Sequence, residues 1–303
     1  MKVLLTGASG FIGSEILRQL LSNGHEVTAI SLPDENLSEQ NNLIILSEDL
    51  NNHEKIRSLI SSNPPDAAIH LAWHVKTPDY LESEKNLDCL LSTVKLVKSL
   101  IECKCAHIAI AGTCAEYDHS GGYMSEDKTL ILPDTLYAAA KTSCRLLCEQ
   151  LTKNSSTKLA WLRIFYPYGP NENPMRLLPA LIKSLCGNNF FKASTGDQIR
   201  DYIHVHDVAS AFVNISEKKI QGSFNVSSGF PITIRSLLET TAEIMGKKDL
   251  IQFGALPPRP WDPPFICGNN LKLRSTGWQQ KYPILQGLSN TIEWWKEKFD
   301  HKH

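Results

Sequence analysis

The chain has 303 residues, 42% of them hydrophobic and 21% charged, which is enough for a substantial core in one large domain or two smaller ones. Its formal net charge of −1 gives no electrostatic reason to expect nucleic acid or an anionic membrane surface, so an anionic ligand would need a local basic site. Eight cysteines, at 89, 103, 105, 114, 144, 148, 186 and 267, form no Cys-x2-Cys pair and have no partner His/Cys pair at zinc-like spacing, which predicts reduced thiols, a cytoplasmic protein and no metal.

Val3-Leu4-Leu5 is an apolar run too short for a signal or membrane-spanning segment, and it leads into Thr6-Gly7-Ala8-Ser9-Gly10-Phe11-Ile12-Gly13. Ile12, Ile16, Leu17, Leu20 and Leu21 follow at helical spacing, so the stretch reads as strand, glycine loop, helix. Glycines at 7, 10 and 13 let a backbone turn tightly and approach a pyrophosphate, whose charge then sits at the helix amino terminus. Val27 to Ile30, Leu43 to Leu46, Ala67 to Leu71 and His107 to Ala111 continue a series of strands with helical stretches between them. That alternation predicts an α/β fold with a Rossmann-type, doubly wound parallel sheet. The helix expected over about 86 to 103 is apolar almost all round, with Leu87, Leu90, Leu91, Val94, Leu96, Val97 and Leu100, and should be buried on more than one side.

The next helix, about 136 to 153, carries Tyr137-Ala-Ala-Ala-Lys141. Positions four apart share a helix face, so the Lys141 ammonium is expected to stand over the Tyr137 ring and favour its phenolate. A free phenol titrates near ~10, and lowering that value makes the tyrosine usable as acid or base. Leu159 to Arg163 reads as a sixth strand, after which Tyr166-Pro167-Tyr168-Gly169-Pro170 and a proline cluster at 257 to 264 suggest substrate loops. Residues from about Arg200 to Glu217 look like a strand and helix returning to the first domain. The expected division is therefore a dinucleotide-binding domain of 1–165 plus about 200–228, and a smaller, discontinuous C-terminal α/β substrate domain of about 166–199 plus 229–303. His204-Val205-His206 would put two imidazoles on one strand face, and Trp294-Trp295 is expected to pack a terminal helix.

From the glycine loop and the Tyr-x3-Lys pair onward, the sequence resembles the extended short-chain dehydrogenase/reductase superfamily of nucleotide-sugar epimerases, dehydratases and ketoreductases, nearly end to end. The resemblance implies a nicotinamide dinucleotide on Gly7, Ser9, Gly10, Phe11, Ile12 and Gly13, with Asp49, before Leu50, reaching the adenine. It implies a cofactor-lining strand end at His70-Leu71-Ala72, followed by Trp73, and a catalytic triad of Thr113, Tyr137 and Lys141, the lysine holding the cofactor ribose. In Gln198-Ile199-Arg200-Asp201-Tyr202-Ile203-His204-Val205 it assigns Arg200 to the nucleotide end of the substrate, and in Pro258-Arg259-Pro260-Trp261-Asp262 it assigns Arg259 to the diphosphate. Two guanidinium forks suit a diphosphate bidentately.

Three departures bear on the reaction. Where family dehydratases carry an aspartate and a glutamate this chain has Cys114 and Ala115, and Glu116 comes one position late, which on an extended backbone turns it to the opposite face. Dehydration is therefore disfavoured. Ser31 stands where NAD-dependent relatives place a carboxylate on the adenosine ribose, which favours NADP over NAD, although no arginine follows in Leu32-Pro33-Asp34-Glu35. Tyr166 replaces an asparagine that contacts substrate. The resulting expectation is an NAD(P)H-dependent reductase of a nucleotide-linked 4-keto-6-deoxysugar, with Thr113, Cys114, Tyr166, Arg200 and Arg259 on the substrate. The alternatives are a nucleotide-sugar 4-epimerase with bound NAD and a non-catalytic cofactor-binding regulator. Helices 86–103 and 136–153 look like the pair by which relatives form homodimers.

Overall fold

The structure is a computed structural model that describes residues 1–35, 37–76, 79–257 and 262–300. The chain opens with β1 (Lys2–Thr6), α1 (Phe11–Ser22), β2 (Glu26–Ser31) and β3 (Leu43–Ser47), then runs through α2 (His53–Ser62), β4 (Ala67–His70), α3 (Lys85–Glu102) and β5 (His107–Thr113). A 3-10 turn at Cys114–Glu116 leads to β6 (Tyr123–Met124), α4 (Leu136–Thr152), β7 (Lys158–Ile164) and β8 (Tyr166–Tyr168). Next come α5 (Leu177–Cys186), β9 (Phe191–Lys192), β10 (Ile199–His204), α6 (Val205–Glu217), β11 (Gly222–Val226), β12 (Pro231–Thr233) and α7 (Ile234–Ile244). The last elements are β13 (Ile251–Gln252), β14 (Cys267–Gly268), α8 (Leu271–Arg274) and α9 (Ile284–Asp300).

Seven strands make one parallel sheet in the order β11-β7-β5-β4-β1-β2-β3. Strand side chains alternate between its two faces, as the pleat requires. Val3 and Leu5 of β1, Ala109 and Ala111 of β5, and Ala160 and Leu162 of β7 join Ile16 and Leu20 of α1 and Phe212 of α6 in one core. Their neighbours Leu4, Ile108, Ile110 and Trp161 join Ile56 of α2, Leu96 and Leu100 of α3 and Cys144 of α4 in the other. A sheet buried on both faces is the expected doubly wound architecture, and its winding reverses between β1 and β4. Thr6 and His70, register partners at the carboxyl ends of those strands, therefore flank the crevice where such sheets bind ligands.

Of the strand and helix expected to return to the first domain, β10 pairs in parallel with β8 and antiparallel with β12, and α6 packs on the main sheet beside α1. Pairing with β8 keeps Tyr202 beside Tyr166 in register. As expected, α3 is buried on more than one side, against the sheet, α2 and α4, while Leu87 is 48% and Leu91 55% exposed on α3 and Leu146 and Leu147 are exposed on α4. Beyond the main sheet, α5, α7 and α9 pack through Leu181, Leu185 and Leu238 and through Ile182, Ile292 and Trp295, so the tryptophan pair does anchor the last helix. Among the described residues no helix is long and apolar enough to cross a membrane.

Candidate active site

The crevice is built by close contact rather than by long side chains. Gly7 adopts φ +72°, and a Cβ there would lie 2.9 Å from the Ala72 nitrogen, while one on Gly13 would lie 1.9 Å from the Gly7 carbonyl oxygen. Only glycine lets the loop sit against β4 and the first turn of α1 sit against the loop. The Gly10 nitrogen donates to the Gly7 carbonyl at 3.1 Å, Ser9 and Phe11 are half-buried beside it, and Ile12 packs into the core below. The first turn of α1 has neither a side-chain cap nor an acidic residue, so its free N–H groups and positive helix end suit a phosphate. This cradle fits a dinucleotide.

His70 holds the opposite wall. Thr93 gives its hydroxyl proton to the Cys89 carbonyl at 2.7 Å, so at 2.8 Å it can only accept from the imidazole Nε2–H. Nδ1 then accepts from the Thr6 hydroxyl at 2.7 Å, and Thr6 Oγ1 in turn accepts from the Leu71 and Ala72 nitrogens, each at 3.3 Å. A neutral ring with one tautomer thus fixes the Leu71-Ala72 peptide against Gly7. Burial, helped by the nearby Lys141 charge, pushes the His70 pKa down to about 3.

Thr113 ends β5 and Tyr137 lies in the first turn of α4, with the Thr113 hydroxyl near enough to the phenol to bear on its pKa. The Tyr137 backbone nitrogen donates to the Leu81 carbonyl at 2.8 Å, and its ring meets the edges of Tyr80 and Trp73 with centroids 5.2 and 6.5 Å away. Asn86, fully buried, fixes that wall by accepting from Trp73 Nε1 at 2.8 Å and donating to the Tyr80 and Ser83 carbonyls. Lys141 comes to the same place but not to the expected partner. Its Nζ donates to the Ala111 carbonyl at 2.7 Å and lies 3.7 Å above the Trp73 ring. Burial lowers its pKa to about 8. The Tyr137 pKa is raised, first by burial and then by Tyr80, with the Thr113 hydroxyl working the other way. The phenol is therefore held protonated, contrary to the expected phenolate, because helical spacing fixes a shared face but not where a long side chain ends.

Glu116 does face away from this centre, although the cause is the 3-10 turn at Cys114–Glu116 and not an extended backbone. Its buried carboxylate accepts from the Thr113 nitrogen at 3.0 Å, Trp161 Nε1 at 2.8 Å and Arg163 Nε at 2.9 Å. Arg163 also donates to the Tyr117 hydroxyl at 3.0 Å, and that hydroxyl donates to Asn225 Oδ1 at 2.7 Å. A Cβ on Gly112 would strike Trp161 Nε1 at 2.2 Å, so the strand residue before Thr113 has no room for a side chain. Cys114 is buried toward Tyr166, and burial pushes its thiol up to about 12, which makes it a poor proton donor or nucleophile.

The residues expected on the substrate side that the structure describes lie close together. Arg200 is 3% exposed, lies over the Tyr166 ring at 5.5 Å, donates to the Ile199 carbonyl at 2.8 Å and pairs with Asp262. Its fork is thus already engaged in this state. Tyr202 stands 5.8 Å from Tyr166, and beyond it Glu172 is buried with one carboxylate oxygen unpartnered, burial raising its pKa to about 8 against the pull of Arg176. Arg259 lies outside the described residues. Ser31 is buried at the end of β2, while Asp49 is exposed and accepts from the Asn51 nitrogen at 2.8 Å, with Leu50 packed on the core beside it. The two imidazoles of His204-Val205-His206 do not share a strand face: His204 caps α6 and stacks on Tyr282 at 4.3 Å, and His206 lies in the helix. Asn86, Asp262 and Glu172 were missed by sequence reasoning, since no motif marks them and the role of each is set by the side chains that pack around it.

A family model for the NAD dependent epimerase/dehydratase family matches residues 3–227. The UDP-glucose 4-epimerase of Halalkalibacterium halodurans is 24% identical over 100% of this chain and 97% of its own length. Among solved structures, UDP-glucose 4-epimerase of Thermotoga maritima with UDP-glucose superposes with a TM-score of 0.89 at 21% identity, covering 99% of this chain and 100% of that one. MoeE5 in complex with UDP-glucose and NAD gives 0.86 at 25% identity, covering 99% and 100%.

Two outcomes are expected from this geometry. Glu116→Ala strands the buried Arg163 guanidinium and should lower the unfolding free energy in urea by about 3–5 kcal/mol. His70 titrates near 3 in the folded chain against an ordinary value of 6.5, so between these values the unfolded chain binds a proton that the folded chain does not. Its stabilising contribution is complete above pH 6.5 and is lost as pH falls through that window. His70→Gln should flatten the stability–pH slope there by up to ~1.4 kcal/mol per pH unit, measured by urea unfolding at a series of pH values.

Proposed function

The chain belongs to the NAD dependent epimerase/dehydratase family, and from that premise we propose that it reduces the C4 ketone of a nucleotide-linked 4-keto-6-deoxysugar. The observation that carries this reading is that Tyr137 and Lys141 converge on the Trp73 ring beside Thr113, with no acid at Cys114 or Ala115 to run a dehydration. A bound nicotinamide coenzyme supplies the hydride to carbon. Tyr137 gives its proton to the ketone oxygen as that oxygen gains charge, and Thr113 orients the oxygen by hydrogen bonding. Lys141, whose charge is weakened by burial, would hold the coenzyme ribose, and the glycine loop with the first turn of α1 would hold the pyrophosphate. Tyr166 and Arg200 would carry the nucleotide end of the substrate, with Asp262 exchanged for the diphosphate on the Arg200 fork. Serine in place of a carboxylate at Ser31 supports NADPH, whereas the family's name and the NAD in the MoeE5 complex support NADH.

A second reading, a 4-epimerase, is supported by the UDP-glucose 4-epimerases among the similar proteins. It uses the same three residues but requires Tyr137 to accept a proton before it gives one back. The two readings part on net coenzyme consumption. Mixed with NADH or NADPH and a panel of CDP-, dTDP- and GDP-4-keto-6-deoxyhexoses, the protein should oxidise one equivalent of coenzyme per ketone reduced. Sugar conversion without oxidation would select the epimerase. Tyr137→Phe should retain coenzyme affinity and lower turnover by about 10²-fold or more.

The exposed leucines Leu87, Leu91, Leu146, Leu147 and Leu151 on α3 and α4 support a homodimer through that helix pair. So much apolar surface left in water favours association. Light scattering at low micromolar concentration should give twice the chain mass, and Leu91→Arg should return it to the mass of one chain.

A further inference from the structure

Lys141 is 3% exposed, so its charge has to be stabilised by what lies against it rather than by water. Its Nζ donates to one carbonyl, that of Ala111 on β5, and stands 3.7 Å above the centroid of the Trp73 ring. Among the described residues no carboxylate pairs with this ammonium. Glu116, which acts on it from the turn after β5, gives its carboxylate to Arg163 at 2.9 Å. The other ionisable groups around it are the thiols of Cys144 on α4 and Cys89 on α3, and the imidazole of His70 on β4, which burial keeps neutral. The indole face therefore supplies the negative surface on which the cation rests.

That face is fixed from α3. Asn86, fully buried, accepts from Trp73 Nε1 at 2.8 Å while its own amide donates to the Tyr80 and Ser83 carbonyls at 2.6 and 2.9 Å. One turn along the same helix, Cys89 Sγ accepts from the His74 nitrogen, the peptide that follows Trp73, at 3.3 Å. Side chain and backbone of this loop residue are thus both tied down. With its N–H spent on Asn86, the indole offers its face to Lys141 and meets the Tyr137 ring at a centroid distance of 6.5 Å and an angle of 80°. A single side chain touches both members of the Tyr-x3-Lys pair. A leucine there would fill much of the space but present no negative face to the ammonium.

We propose that Trp73 is a positioning residue: its indole face holds the Lys141 ammonium, and the same ring steadies Tyr137, so that lysine and phenol meet the coenzyme and the sugar oxygen in a fixed arrangement. The consequence for turnover rests on the reductase reading above, whereas the contact with Lys141 is a property of the chain alone. Attraction between a cation and an aromatic face is greatest for tryptophan and grows as water is excluded, which is the situation of this buried pair.

The contact is read first, without coenzyme or sugar, from the tryptophan emission of the full chain titrated from neutral to alkaline pH. Lys141 loses its charge at about pH 8, and removing a positive charge from the indole face changes its emission, so the wild-type chain should show a transition there. Trp73→Phe removes the reporter and Lys141→Met removes the proton, and each should abolish the transition. Circular dichroism checks that the variants are folded. With the ketosugar that the chain reduces, Trp73→Leu should lower kcat about tenfold while moving KM for the sugar less than about twofold. The alkaline fall in kcat should begin at lower pH in Trp73→Leu, because the ammonium has lost a contact that favoured its charged form. Trp73→Phe, which keeps an aromatic face, should recover most of the loss. A wild-type emission without the transition, a transition that survives in either variant, or an unchanged kcat in Trp73→Leu overturns the role of Trp73. Absence of turnover with every ketosugar overturns the reductase reading instead, and the emission titration then decides the contact by itself.

Discussion

The buried carboxylate of Glu116 is the constraint on which the reaction centre depends. It ties the end of β5, through the Thr113 nitrogen, to two side chains of β7, Trp161 and Arg163. A carboxylate without water around it must be paired and hydrogen-bonded to remain charged, and Glu116 obtains this from three donors at once. Because those donors belong to adjacent strands, the position of Thr113 follows from the sheet itself rather than from a surface loop. Arg163 extends the same network through Tyr117 to Asn225 on β11, so the sheet edge and the turn after β5 are coupled by polar contacts inside the core.

A second constraint acts across the crevice. His70 is neutral because it is buried, its tautomer is set by Thr93, and its acceptor nitrogen holds Thr6 at the end of β1. Thr6 in turn holds the peptide against which Gly7 packs. The two walls of the crevice are thus joined by one imidazole. Loops elsewhere can vary without disturbing this geometry, which is how one fold serves several sugar chemistries.

What the sequence made legible was local. Alternation of apolar runs with helical spacing gave the parallel sheet, the glycines at 7 and 13 gave the loop, and Tyr137 with Lys141 on one helix face came to one place beside Thr113. Each of these depends on a short-range period or a short-range steric rule. The misjudged features depend on long-range partners. Lys141 chose the Ala111 carbonyl and the Trp73 ring over Tyr137, and β10 chose β8 and β12 over the main sheet. No periodicity encodes such choices, because they are settled by which surfaces meet after the chain has folded.

The position of Lys141 has a consequence for the heat of complex formation. Its ammonium has one carbonyl and one aromatic face for company, and burial leaves it close to half-protonated in mildly alkaline solution. Any ligand that brings further acceptor oxygens to Nζ stabilises the charged form and draws a proton from the medium. Calorimetric enthalpies measured at such pH would therefore differ between buffers in proportion to the buffers' own ionisation enthalpies, and the slope of that dependence would count the proton taken up.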